Sequence, residues 1–323
     1  MQRPCAVIDR AVPISLDGES GDLSAFAALD ALADRARFAY LVEMDHFIHE
    51  KYDFRLLCIR YLASRGWRWF GEELAADRGR RADRYLAGGD ESLLHPVAEP
   101  PWFTRGILVN SRQPTAALDA EQRRFMQAVR RSVPGVRWFG FDADSSNADY
   151  LALANDSDTY EALRPAMAVR ERIMVANVAK IREANPDDKV ALMAGSTHLL
   201  KDDDAAHAPG VGAGPGGDTD HSLGHRVARE LTDRPVLAIW LLHGEGTSAN
   251  PWLAPPGRLT PAPRTFDAEL LADVGRPCLV PVGDDRRRRS VTQMHNRVLE
   301  CDFATQVDAI VFVPRVTPLR EDR

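Results

Sequence analysis

The chain has 323 residues, 45% of them hydrophobic and 27% charged, with a formal net charge of -6. This length suffices to bury a substantial core in one large α/β domain, and the acidic balance gives no reason to expect a nucleic-acid partner. The longest apolar run, residues 236–242, is too short to span a bilayer, and the first residues lack the basic, apolar and small-residue order of a signal peptide.

Four scattered cysteines, Cys5, Cys58, Cys278 and Cys301, form neither a zinc-type pair nor a disulfide framework. A cytoplasmic protein acting on a small-molecule or peptide substrate, away from membranes and nucleic acid, fits these features best.

In chain order, residues 24–36 are Ala-rich with helical spacing, and RFAYLV then reads as a short buried strand. Apolar positions Phe47, Phe54, Leu57, Cys58, Tyr61 and Leu62 recur at helical intervals, which predicts a helix that Gly66 ends. WRWFGEE supplies a second strand, and RADRYLAGG closes another helix on glycines. Residues 90–118 contain several prolines and are expected to be an irregular connection or insertion.

A helix over 118–133, a strand VRWFGFD and a long helix over about 159–184 follow, and then KVALMAGSTH gives a fourth strand. Residues 201–220, rich in Gly, Asp and Ala, are expected to form a mobile loop beside its end. A helix over 221–232, strand VLAIWLL, a Pro-rich connection over 248–265 and strands CLVPV and AIVFV complete the chain. This alternation predicts a single α/β domain over residues 1–323: a mixed, mainly parallel central sheet flanked by helices, with helical and loop insertions over the strand ends.

Parallel sheets bind ligands beyond the carboxyl ends of their strands. Four successive predicted strands here end in ionisable groups: Glu43 with His46, Glu72 with Glu73, Asp142 with Asp144, and His198. The stretch from Glu43 to Glu50 is the densest. His46 falls at the strand-to-helix turn and carries an imidazole, the side-chain type suited to general-base work near neutral pH, and Glu43 is placed to orient its ring. Alanine at either position is expected to abolish turnover while leaving thermal stability nearly unchanged.

Arg55 reaches the same cleft if its helix leans over the strand ends, and Glu50 lies on the first turn of that helix. His46, His49 and Glu50 make HxxHE, which shares one helical face but lacks the HExxH spacing, so no metal and no other cofactor is expected. Ser196 beside His198 is not in a GxSxG elbow, which favours a substrate contact over a nucleophile. Asp142 is read as a strand-end acid facing the substrate.

The order of these motifs resembles the erythromycin esterase-like family. LVEMDHFIHEKYDFRLLCIRYLASRGWRWFGEE matches a pattern of strand, Glu-x-x-His, acid, basic residue and a second strand ending in Glu, with Glu43, His46, Glu50, Arg55 and Glu73 at those positions. FGFDAD, RERIMVANV, KVALMAGSTH, HSLGHRVARELTDRPVLAIWLLHGEG and the tail VDAIVFVPRVTPLR continue the match in order.

The resemblance implies metal-independent hydrolysis of an ester or lactone in a natural-product-like substrate. In that chemistry His46 activates water, and Glu43, Glu73, Arg55 and His198 assist. Phe47 replaces a usual glycine, and MAGSTH replaces WAHNxH, keeping only His198 in the manner of the GxxH motif of Tiki-type relatives. These differences imply a changed substrate pocket lined by Glu50, Phe47, Asp142 and Ser196. They leave two alternatives: a biosynthetic enzyme using His46 and Glu43 for elimination or cyclisation, and a metal- or haem-binding protein of the wider superfamily.

Overall fold

The computed structural model describes residues 7–94, 115–144, 146–155, 164–203, 206–207, 221–250, 257–285, 287–293 and 297–321. The strands are β1 (Val12–Pro13), β2 (Phe38–Glu43), β3 (Trp69–Ala75), β4 (Arg137–Asp142), β5 (Val190–Gly195), β6 (Ala206–His207), β7 (Val236–Thr247), β8 (Arg258–Leu259), β9 (Cys278–Pro281), β10 (Arg288–Gln293), β11 (Arg297–Asp302) and β12 (Ala309–Val316). The α-helices are α1 (Asp30–Arg35), α2 (Glu50–Ser64), α3 (Ala76–Leu86), α4 (Thr115–Ser132), α5 (Ala148–Asn155), α6 (Arg164–Ala184), α7 (Leu223–Arg226), α8 (Phe266–Asp273) and α9 (Phe303–Gln306).

The expected mixed, mainly parallel α/β sheet is present. Nine strands form one sheet in the order β1-β9-β12-β7-β2-β5-β3-β4, with β8 paired to β7. From β12 to β4 every neighbouring pair is parallel, and only β1, β8 and β9 join antiparallel. The chain enters the parallel part of the sheet at β2, moves out to β3 and β4, and returns as β5 between β2 and β3 before continuing to β7 on the other side. Thus the carboxyl ends of β2, β3, β4 and β5 lie side by side at one sheet edge.

Strand β2 shows why both faces must be covered. All six of its residues are buried, since the run FAYLVE is apolar on both sides until its last position. Ala39 and Leu41 join the core with Phe54 and Leu57 of α2 and Met126 and Val129 of α4. Phe38, Tyr40 and Val42 turn to the opposite core with Met174 and Val178 of α6 and Leu270 of α8. Period-two alternation therefore splits one apolar strand between two helical layers.

Several predicted boundaries move. The second helix begins at Glu50 rather than Phe47, because Asp45 turns the chain first, as described below. The region read as one helix over 159–184 contains α6 from Arg164, with α5 before it at 148–155. The helix expected over 221–232 is α7 followed by a π-helical turn, Val227–Leu231.

Strands β10 and β11 form a second, three-stranded sheet with β6 and were not anticipated, since the arginines at 287–289 disguise the start of β10. Most of the expected connection over 90–118 and of the Gly-rich loop over 201–220 lies outside the described residues, although β6 within the latter pairs with β11.

Helix α3 packs closely on β4 through Gly79. A Cβ on Gly79 would lie 1.7 Å from the backbone nitrogen of Gly140, so no side-chain adjustment can make room. Gly79→Ala is expected to destabilise the fold by about 3 kcal/mol through forced backbone separation, measured by urea unfolding. A change below about 0.5 kcal/mol, the range of neutral surface substitutions, would mean that α3 is not held this closely.

Candidate active site

At the end of β2 the chain makes a tight turn before α2. Asp45 Oδ1 accepts the Phe47 N–H at 2.7 Å and the Ser248 hydroxyl at 3.0 Å, pinning the turn to the segment after β7. This places the ring of His46 beside the last residue of β2, with Nδ1 2.8 Å from Glu43 Oε1.

Glu43 itself is buried, 1% exposed, and Arg55 reaches back from α2 to donate from Nε and Nη2 to its two oxygens, each at 2.9 Å. The third Arg55 nitrogen, Nη1, donates to Glu72 Oε1 at 2.5 Å, and Gln122 of α4 caps Glu72 Oε2 at 2.8 Å. Burial alone would raise the Glu43 pKa, but the neighbouring Arg55 and Lys51 outweigh it and hold the carboxyl at about 2. An ionised Glu43 accepts the Nδ1 proton of His46, which turns Nε2 to the opposite side of the ring.

A second network sits across β5. Glu73 Oε2 accepts the Gly195 N–H at 3.1 Å, and Glu73 Oε1 accepts from Arg170 Nη2 at 2.7 Å. Arg170 also grips Asp142 with two bonds of 2.8 and 2.6 Å. His198 Nδ1 is hydrogen-bonded to Glu171 Oε1, and its Nε2 lies 3.3 Å from Glu73 Oε1.

Burial would lower the His198 pKa, but Glu171 and Glu73 overcome that cost and raise it to about 10. The ring is then an imidazolium donating to both carboxylates. The 3.2 Å approach of Arg170 Nη1 to His198 Nε2 is accordingly a contact between two donors, tolerated because Glu73 and Asp142 neutralise them.

Gly195 joins the two networks. A Cβ there would lie 2.7 Å from His46 Cε1 and 2.8 Å from Nε2, and 3.9 Å from Glu73 Oε2. The missing side chain is what lets the imidazole stand over the end of β5 and face Glu73. The side chain of His46 is 22% exposed, whereas those of Glu43, Glu73, Arg170 and His198 range from 0% to 7%, so of these groups His46 is the one water reaches most readily. A cavity of about 370 Å³ lined by Arg60, Trp67, Arg68 and Val136 opens near the amino ends of β3 and β4 and contains none of these groups.

The structure thus brings His46, Glu43, Arg55, Glu73 and His198 to one edge. The four residues expected to contact substrate are placed differently. Glu50 directs both carboxylate oxygens at Thr317, accepting its N–H at 2.9 and 3.1 Å and its hydroxyl at 2.8 Å. Asp142 is completely buried and holds Arg170. The Phe47 ring is 2% exposed in the core beneath α2, edge-on to His46 at 6.2 Å. Ser196 is 6% exposed, and its hydroxyl accepts from the Gln293 amide at 2.7 Å rather than meeting a histidine.

The HxxHE atoms do not converge: His49 pairs with Glu121 at 2.8 Å and with Asp53 at 3.5 Å. Arg170 and Glu171 escaped the sequence reading, although RERIMVANV was part of the resemblance. Three consecutive charges, Arg170, Glu171 and Arg172, on a helix otherwise packed through Ala166, Met174 and Val178 were the available signal. The burial of Glu43 against Arg55 argues against the expectation that Glu43→Ala spares stability, since stripping one partner from a buried ion pair costs about 3–5 kcal/mol.

Because the folded-state pKa of His198 lies above its ordinary 6.5, at about 10, its stabilising contribution is complete below pH 6.5 and is lost as pH rises toward 10. Unfolding free energy measured across that interval should fall with pH in the parent chain, and the fall should flatten in His198→Gln. Identical slopes in the two proteins would contradict a buried imidazolium at this position.

No protein-family model and no curated protein matches the chain. Solved structures do. A mutant of the erythromycin esterase EreC in its open conformation superposes with a TM-score of 0.65 at 18% identity, covering 95% of this chain and 97% of that one. A Bacillus cereus protein gives 0.62 at 13% identity, covering 98% of both chains. A succinoglycan biosynthesis protein gives 0.61 at 11%, covering 97% of this chain and 96% of the other. The chain therefore has the fold of an erythromycin esterase along nearly its whole length.

Proposed function

We propose that the chain is a divergent member of the erythromycin esterase-like family and a metal-independent hydrolase of an ester or lactone in a natural-product-like substrate. The observation that carries this reading is His46. It is the accessible imidazole at the strand edge, its Nδ1 proton is held by an ionised buried carboxylate, and its Nε2 faces the end of β5. The fold shared with EreC supports it.

In the proposed reaction, water positioned against Nε2 gives its proton to His46 as its oxygen bonds to the substrate carbonyl carbon. The carbonyl electron pair moves to oxygen, and the resulting oxyanion is stabilised by the positive charge of His198 and Arg170. Collapse re-forms the carbonyl and breaks the bond to the alkoxide, which takes the proton back from His46. Glu43 and Arg55 are positioning residues, holding the His46 ring and its tautomer. Glu73 couples the two networks, accepting from Arg170 and His198 while facing His46.

A second reading, acid–base elimination or cyclisation without net hydrolysis, is favoured by the pairing of one accessible imidazole with one cationic imidazole across Glu73. The two readings separate by product mass, since hydrolysis makes the product heavier by one water and cyclisation does not.

With p-nitrophenyl esters and macrolactones as probes, His46→Ala is expected to reduce kcat/KM by about 10²–10⁴, the usual contribution of a positioned general base, while the melting temperature stays near that of the parent. Full turnover in His46→Ala would remove His46 as the base.

A further inference from the structure

A second group of ligating side chains lies outside the networks described above. Asp203, His221 and His225 each offer a donor atom, and these atoms all lie within 4.8 Å of one another. His225 lies on α7 and His221 precedes its extended N-cap residue Ser222, and the turn there stacks the two rings with centroids 4.0 Å apart and planes 7° apart. Asp203 approaches from the end of the segment after β5, with Oδ2 3.4 Å from His221 Nδ1.

The supporting contacts fix this arrangement. The Ser222 N–H donates to Asp203 Oδ2 at 2.6 Å and the Ser222 hydroxyl to Oδ1 at 2.7 Å. The backbone N–H of Asp203 donates to His225 Nδ1 at 3.1 Å, so that nitrogen carries a lone pair aimed at Asp203. A second carboxylate, Asp202 Oδ1, stands 3.8 Å from the same nitrogen. The Asp203, His221 and His225 side chains are 14%, 27% and 12% exposed, so solvent reaches the cluster and a water can complete a coordination shell.

We propose that Asp203, His221 and His225 form a Zn²⁺ site. Two imidazoles and one carboxylate are a donor set that zinc takes with a fourth, water-filled position. Tetrahedral coordination at bond lengths of about 2.0–2.1 Å sets the donor atoms about 3.4 Å apart. Asp203 and His221 already stand at that separation, and the His225 donor, within 4.8 Å of both, comes in as the stacked rings turn toward a shared ion.

Zinc here would tie Asp203 to the residues that open α7, adding its binding energy to the stability of the folded chain. It also steadies the start of α7, where the Leu223 N–H donates at 2.7 Å to Glu171 Oε2, the carboxylate that holds His198. The site uses none of the residues assigned to hydrolysis and does not depend on that assignment.

Zinc titrated into chelator-treated full-length protein, followed by calorimetry, should bind at one ion per chain. His221→Ala and His225→Gln should each weaken it at least tenfold, and His46→Ala should leave it unchanged. Zinc-edge X-ray absorption of the parent protein, which needs no variant, should show two imidazole nitrogens and an oxygen donor. Absence of stoichiometric binding, retention of affinity in both histidine variants, loss of affinity in His46→Ala, or a shell lacking imidazole would each overturn the site.

Discussion

Setting five carboxylates, three of them buried and two largely covered, along one sheet edge is the constraint on which the rest of this structure depends. Glu43, Glu72, Glu73, Asp142 and Glu171 stand at or beside the carboxyl ends of β2, β3 and β4, and isolated they would cost far more than a marginally stable fold supplies. Arg55 answers Glu43 and Glu72, and Arg170 with a protonated His198 answers the other three. Each guanidinium uses its planar fork to bridge acids from different elements. Helices α2 and α6 are consequently locked in position over the strand ends, one on each face of the sheet, and the remaining packing follows from them.

The same arithmetic separates the two histidines. His198 is enclosed between Glu171 and Glu73 and is held as a cation. His46 meets only one of the buried acids directly, at Nδ1, and keeps its other nitrogen toward the accessible side. An accessible imidazole and a fixed positive charge are thereby set at neighbouring strand ends by environment, not by residue type. Gly195 makes the arrangement possible, because any side chain at that point would occupy the space that the His46 ring needs.

Much of this was legible in the sequence, for a physical reason. A strand whose alternation ends abruptly in Glu, Asp or His declares where it leaves the core, and parallel order brings such ends together. Glu43, His46, Glu73 and His198 were recognisable on that ground, whereas spacing alone left Arg55 dependent on its helix leaning over the strand ends.

What the sequence does not carry is the partner of each charge. Glu50 looked free to meet a substrate until Thr317, near the other end of the chain, took both its oxygens. Asp142 looked like an edge acid until Arg170 enclosed it. The face of α6 that turns inward is equally hidden, because Arg170, Glu171 and Arg172 are consecutive and only packing decides which of them is buried. The β10–β11 pair was missed because its arginines suppress the apolar alternation that marks a strand.

The most direct test of the central claim, that this edge directs water at a carbonyl carbon, is hydrolysis of a lactone or ester probe in oxygen-18 water with mass analysis of both products. The account predicts one labelled oxygen in the released carboxylate and none in the alcohol. Label in the alcohol, or product formed without label, would contradict it.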